Sequence, residues 1–408
     1  MTTTHHRAND AAIGALLLAD PILIGIDSAG GAMGLPRSTV LTSGPTMPFA
    51  AYTGGQRAAV IGGALYEGLA TDEASAVAAF ERGEISVRGC QEFGCVGSLA
   101  GVTTASMPVV VVADARTGER GYCTLYEGDS ADRLNYGTYT EATRSNLEDL
   151  RLRIAPALNT LIQAQAEPLR LKPIMTRAVT MGDELHSRNA AATLLFLRAL
   201  LTGATQLGNE LEDALRPLSD DYFFLRLSMA ASKVMANAMR GHQTSSVVTA
   251  MAFSCAEFGI QTSGTGGTWF TGPLPRFEDY RLEPGYHEDD MQFMGGESVI
   301  TEVVGLGGLA QAAGLPLQRS SGHDAAVMIA RTTAMYEITV TENPDFLIPV
   351  LNYRGTPLGL DVEKVVNTGI TPYLDIGIAG RSGCQIGGGV AIAPIEPFQK
   401  AWDALNST

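Results

Sequence analysis

Residues 107–126 read MPVVVVADARTGERGYCTLY. The valine run at 107–113 is continuously apolar and β-branched, which suits a strand buried on both faces. Arg116-Thr117-Gly118-Glu119 then supplies a turn with glycine where a positive φ is needed, and residues 122–126 form a second strand candidate. The stretch therefore predicts a hairpin. Upstream, residues 22–26 are a short apolar strand candidate, 56–69 suit a packed helix of small residues, and 72–82 an amphipathic helix closed by Gly83. Downstream the character changes. Residues 146–165 repeat Leu and Ile at helical spacing, 189–201 form a strong helix with Asn189 and Gly203 as caps, and 220–239 form another. From about 244 strands return at 246–253, 258–262, 336–340, 373–379 and 390–393, with a small-residue helix at 298–313. The predicted class is mixed α/β. Two mixed lobes, 1–145 and 244–408, flank a helical segment, 146–243.

The chain has 408 residues, 45% hydrophobic and 17% charged, with ample material for a core. Its net charge of -15 argues against nucleic acid and against an anionic membrane surface. An anionic substrate would therefore need a local positive site built from a few arginines or N–H groups. Five cysteines without a CxxC point to free thiols in a reducing compartment, the cytoplasm. The apolar run 11–26 is broken by Asp20-Pro21, so it is expected to be a buried helix and a strand, neither signal nor membrane span.

The densest chemistry lies at Gly182-Asp183-Glu184-Leu185-His186-Ser187-Arg188-Asn189. Two carboxylates, an imidazole and a guanidinium precede an apolar helix. If this run is helical, Glu184 and Arg188 are one turn apart. It can supply a general base (His186 or Glu184) and an anion clamp (Arg188), or it is a helix entry capped by Asn189. A metal is not expected, because no HExxH occurs and His186 has no second histidine at ligand spacing. Four further segments admit both a binding and a turn reading. They are Ser43-Gly44-Pro45, the Gly-rich loop from Gly264 to Trp269, Glu297-Ser298 ahead of Glu302, and Arg354 on a Pro-Gly turn. Cys90 and Cys95, near Arg88, are expected to be buried structural thiols.

The order of these segments is more specific than any one of them. MGDELHSRNAAAT, preceded by GPTMPFAAYTGGQRAAV and CQEFGCVGSLAGV and followed by SSVVTAMAFSCAEFGIQTSGTGG, GGESVITEVVGLGGLAQAAG and DIGIAGRSGCQIGGG, resembles the YahG/YlbE/AllG family over about residues 20–402. The resemblance implies a place in ureide and purine nitrogen salvage. It also implies an FdrA-like partner subunit and carbamoyl transfer between oxamate and phosphate. The sequence departs from the family pattern at Thr42-Ser43 and Gln91-Glu92-Phe93, where histidines are expected.

These readings combine into one expectation: a carbamoyltransferase-type enzyme or subunit acting on a small ureide or amide, with phosphate or carbamoyl phosphate as co-substrate and no cofactor. His186, steered by Asp183 or Glu184, is the expected proton shuttle. Arg188 and Arg354 are the expected anion clamps, with Asn189, Ser43, Gly44, Gly264, Trp269, Glu297 and Ser298 around the substrate, and the loops at Gly44, Gly264 and Gly296 are the proposed N–H donors to a carbamoyl oxyanion. The alternatives are a C–N hydrolase of a similar compound and a non-catalytic scaffold for an FdrA-like subunit. A homo-oligomer is expected.

Overall fold

In the computed structural model, which describes residues 3–128, 130–201, 210–317 and 324–407, the valine run is strand Pro108–Asp114. It pairs antiparallel with Arg120–Thr124, placing Val109 opposite Thr124, and Gly118 takes φ 77° in the turn. On its other side it pairs antiparallel with Pro21–Ser28, and the short strand Leu169–Arg170 closes that edge. Alternation explains the unbroken apolar run. Val110 and Val112 point with Cys123 into the main core, while Val109 and Val111 point with Tyr122 into a smaller core holding Leu41, Cys90 and Cys95. Both faces are covered, so no polar residue is needed at alternate positions.

Against this sheet lies helix Leu225–Ala238, whose residues 225–236 are all buried. A helix buried on every side should be apolar throughout. This one carries Arg226 and Lys233 instead, seven residues apart and therefore on one face. It approaches the hairpin closely at Gly121, where a Cβ would stand 2.6 Å from the Ala230 carbonyl oxygen. Gly121→Ala is expected to push helix and strand apart and to lower stability by about 1–3 kcal/mol, measured as a urea midpoint. An unchanged midpoint would show that this contact yields freely.

A second antiparallel sheet has the order Arg276–Leu282, Gln385–Ile392, Tyr373–Gly380, Met291–Gln292. The expected loop at Gly387-Gly388-Gly389 is thus part of a strand. The neighbouring strand explains the glycines, since a Cβ on Gly389 would lie 2.3 Å from the Asp279 carbonyl oxygen. A third sheet joins Val248–Phe253, Phe258–Thr262 and Phe270–Gly272. Thr339–Ile348 pairs with Arg354–Leu360, and Thr39–Thr42 runs parallel to Ser86–Gly89. The class is mixed α/β, as expected from the sequence.

Several local expectations change. The helix expected over 298–313 breaks into Ile300–Val303 and a kinked 3-10 segment, Gly307–Leu317, because Gly305 and Gly307 adopt φ of 87° and 54°. Val299, not Ser298, occupies the cap position. Residues 336–338 form a 3-10 turn and the strand begins at Thr339. The cap expected at Gly203 lies outside the described residues. Among the described residues no helix is long and apolar enough to cross a membrane.

Candidate functional site

The run 182–189 is a loop between helices Leu171–Thr180 and Ala190–Leu200, not a helical turn. Two residues force its shape: Gly182 at φ 103° and the fully buried Leu185 at φ 68°, a region that costs a non-glycine residue energy. The Leu185 amide donates to the Arg188 carbonyl at 3.1 Å, and the Ser228 hydroxyl donates to the Leu185 carbonyl at 2.8 Å. This curl turns the N–H groups of His186, Ser187 and Arg188 onto the Glu184 carboxylate, the last at 3.0 and 3.1 Å. Glu184 is thereby the hub of its own loop.

Asp183 does the capping expected of Asn189. Its Oδ2 accepts from the Ala192 amide at 2.8 Å, while the Asn189 side chain makes no cap bond and donates to the His186 carbonyl. Burial raises Asp183, against the pull of the helix amides and of Arg188. Arg188 Nε lies 3.3 Å from Asp183 Oδ1 and donates to the Gly182 carbonyl at 3.0 Å.

Two acids distant in sequence join this loop. Glu302, fully buried, accepts from His186 Nδ1 at 2.8 Å, the Gly308 and Asp375 amides at 3.0 Å each, and the Thr301 hydroxyl at 2.8 Å. Burial alone would lower His186, but the Glu302 carboxylate outweighs it and leaves the imidazole above its ordinary value. Asp375 accepts from Gln311 Nε2 at 2.8 Å, and its carboxyl meets that of Glu184. Burial and the neighbouring Asp375 raise Glu184, while burial and Glu302 raise Asp375 against the pull of His186 and of its bond to Glu184, so the pair shares a proton rather than ionising twice.

Asp375, Gln311 and Ser187 line a cavity of about 930 Å³, together with Tyr126, Tyr222 and Arg133. Arg133 donates to the Gly128 carbonyl at 3.0 Å and stacks 4.1 Å over Tyr136, yet its buried Nε has no partner. Arg226, only 4% exposed, lies 5.7 Å over the Tyr126 ring, with Nε and Nη1 both unpartnered. A buried guanidinium with unused N–H groups is expensive, and a ligand anion is the usual remedy. The cavity therefore carries both a guanidinium, Arg133, and a carboxyl held above its ordinary range, Asp375, in its lining, with Arg226 beside the lining ring of Tyr126. Gly388 forms part of its lining, where a Cβ would meet only the Ile376 carbonyl oxygen at 3.8 Å, so this glycine leaves room that a side chain would fill.

A second buried centre gathers the other expected residues. Glu297 accepts from the Gly44 amide at 3.2 Å and the Gly97 amide at 2.8 Å, and Ser43 donates to the Gly97 carbonyl at 3.0 Å. Burial pushes Glu297 up to about 8 and Lys233 down to about 7. The N–H groups proposed as oxyanion donors are already engaged: Gly44 with Glu297, Gly264 with the Ser245 carbonyl at 3.0 Å, Gly296 with the Phe253 carbonyl at 2.8 Å. Ser298 gives its carbonyl to the Thr301 amide at 3.0 Å. Arg354 is exposed, pairs with Glu342 at 2.6 Å and stacks on Tyr336; it does not line the cavity. Trp269 lines a separate cavity. The two segments that depart from the family pattern lie side by side, with Thr46 bonded to Glu92 and to the Gly89 amide.

The structure thus joins Glu184 and His186 to residues the motif reading did not assign, Asp375, Gln311 and Glu302, and lines the same cavity with Arg133, beside Arg226. A signal for them existed. Arg226 stands among Phe223, Phe224, Leu225, Leu227 and Met229 at the start of a helix, and Asp375 interrupts the apolar strand YLDIGIAG. Among the described residues no group of three or more His, Cys, Asp or Glu side chains is arranged to hold a metal ion.

The family model described as oxamate carbamoyltransferase subunit AllG matches residues 85–298. The chain is 34% identical to the oxamate carbamoyltransferase subunit AllG of Escherichia coli (strain K12), over 99% of this chain and 98% of that protein. It is also 34% identical to the uncharacterized protein YahG of the same strain, over 97% of this chain and 84% of YahG. A crystal structure of a conserved protein of unknown function from Enterococcus faecalis V583 superposes with a TM-score of 0.95 at 33% identity, covering 99% and 98% of the two chains.

Proposed function

This chain belongs to the AllG family, and on that premise we propose that it is a subunit of a carbamoyl-transferring enzyme acting on a small ureide or amide. The reaction is placed in the 930 Å³ cavity. The observation that carries the reading is a cavity lined both by Arg133, whose buried Nε has no partner, and by Asp375, which shares a proton with Glu184; Arg226, with two unpartnered nitrogens, lies 5.7 Å over the ring of the lining residue Tyr126. An N-carbamoyl acid needs both: cations for its carboxylate and for phosphate, and a proton for its nitrogen.

In the phosphorolytic direction a phosphate oxygen bonds to the carbamoyl carbon and the bond from that carbon to the substrate nitrogen breaks. The departing nitrogen takes one proton, which the Glu184–Asp375 pair supplies and recovers from the attacking hydrogen phosphate as its oxygen bonds to carbon. In the reverse direction the pair takes it back. Arg133 and Arg226 hold the anions, and His186, bonded to Glu302, balances the acidic cluster behind Asp375. Arg188 braces the loop through Asp183 and Gly182. The subunit is expected to work with an FdrA-like partner in the cytoplasm.

The test is turnover of candidate N-carbamoyl acids by this chain, alone and with an FdrA-like subunit, with and without phosphate or arsenate. Phosphate-dependent release of the free amide is expected, and His186→Ala should lower it by about tenfold or more. Product formed equally well without phosphate would overturn transfer in favour of C–N hydrolysis. Turnover that needs the partner and ignores both His186→Ala and Arg226→Met would leave this chain a scaffold.

A further inference from the structure

The second cavity, of about 610 Å³, is walled by Trp269 and bounded by Gln91, Glu92, Arg240, Glu257 and Gln261. Three features suit it to a ligand. Gln91 is only 4% exposed, its Oε1 accepts from Lys233 Nζ at 2.6 Å, and its Nε2 has no partner. A buried amide N–H2 left without an acceptor is unfavourable, and a ligand carbonyl seated on it would satisfy it. Trp269 packs against Gly259, where a Cβ would come within 3.1 Å of the indole, so the ring is held as a flat wall. The charges nearly cancel. Arg240, which donates to Gln261 at 2.6 Å, and Glu257 share the lining, and Glu92 is already paired with Arg88 and bonded to Thr46. Unlike the first cavity, this lining offers no surplus of positive charge to an anion.

The geometry points to a second small-molecule site, separate from the reaction cavity, for a neutral planar amide whose carbonyl meets Gln91 Nε2, whose N–H meets Glu257, and whose face lies on Trp269. The site is not isolated. Lys233, which holds Gln91, sits two helical turns from Arg226 on helix Leu225–Ala238. An occupant that reorients Gln91 therefore bears on the helix that carries the anion-binding arginine.

The chain has two tryptophans, Trp269 and Trp402. In the full-length Trp402→Phe protein, Trp269 fluorescence reports this cavity alone. The probes are nicotinamide, benzamide and uracil, with nicotinate and benzoate as charged counterparts. A saturable change is expected with at least one neutral amide, with at least tenfold weaker response to its carboxylate counterpart. Gln91→Leu should weaken binding at least tenfold, while Arg226→Met leaves it unchanged. Because Gln91→Leu also removes the partner of Lys233, Glu257→Gln is run beside it by calorimetry and should weaken the same probe. No saturable change with any neutral probe would overturn the proposal. So would tighter binding of the carboxylates, or binding indifferent to both variants. Loss of transfer activity in the first cavity would leave these readouts unaffected, so the two readings fail separately.

Discussion

Glu302→Ala is expected to destabilise the protein by about 4 kcal/mol or more, enough to remove a large part of the stability of an ordinary domain. The side chain is fully buried and serves four donors from four places in the chain: His186, the Thr301 hydroxyl and the amides of Gly308 and Asp375. Each donor left unmet in a dry interior costs about 1–3 kcal/mol, offset in part because a buried carboxylate is itself costly. The loop cannot close over the gap easily. A Cβ on Gly307 would come within 2.5 Å of the carboxylate, so residues 305–308 are wrapped tightly around it. Glu302→Gln should cost less, about 1–2 kcal/mol, since its carbonyl keeps the N–H donors and its amide can donate to the Thr301 hydroxyl.

The two variants also separate by pH. In the parent, His186 is raised above the value of 6.5 it has when unfolded. Its contribution to stability is therefore fully present below pH 6.5 and is lost as pH rises through the folded value. Glu302→Gln removes the carboxylate responsible, so this fall in stability should flatten. Urea midpoints between pH 5 and 8 measure both effects. An alanine variant within 1 kcal/mol of the parent would show that Glu302 does not organise the site.

The loop Gly182–Asn189 was visible in the sequence as a dense cluster, and the hairpin at 107–126 fixed the class through its valines and Gly118. What could not be read was the long-range half of the site. Glu302 and Asp375 reach Glu184 and His186 only because Gly305 and Gly307 break a helix that residue propensities favour, and because Gly387-Gly388-Gly389 runs as a strand rather than a loop. Local pattern likewise misassigned the cap. Asn189 stands where a cap should, but Asp183 reaches past it to Ala192 because Leu185 at positive φ folds the loop back. The expected N–H donors at Gly44, Gly264 and Gly296 were glycines in the right kind of sequence. Which of them were already bonded depended on partners up to 253 residues away.

Arg226→Met is expected to behave in the opposite way to Glu302→Ala, losing ligand and keeping the fold. Arg226 has two buried nitrogens without partners, so its charge is not repaid within the described protein. Its compensations are the Tyr126 ring at 5.7 Å and the field of buried Glu127, whose own carboxylate is occupied by the Leu134 and Asn135 amides. Replacing a buried, poorly paired charge by an apolar side chain of similar length is commonly neutral or stabilising by about 1–4 kcal/mol. The urea midpoint should therefore stay level or rise. A carboxylate or phosphate, by contrast, loses charge-assisted bonds worth about 1.5–3 kcal/mol each, so binding should fall about 100-fold. Arg226→Lys keeps the charge without the planar fork and should fall between the two. Calorimetry with oxamate and with phosphate, beside the denaturation curves, decides the matter. If Arg226→Met unfolds several kcal/mol early and still binds both anions normally, the guanidinium is structural. Retained stability with lost binding means that the interior carries an uncompensated charge for its ligand, the departure from a self-consistent core expected where a fold is built around a site.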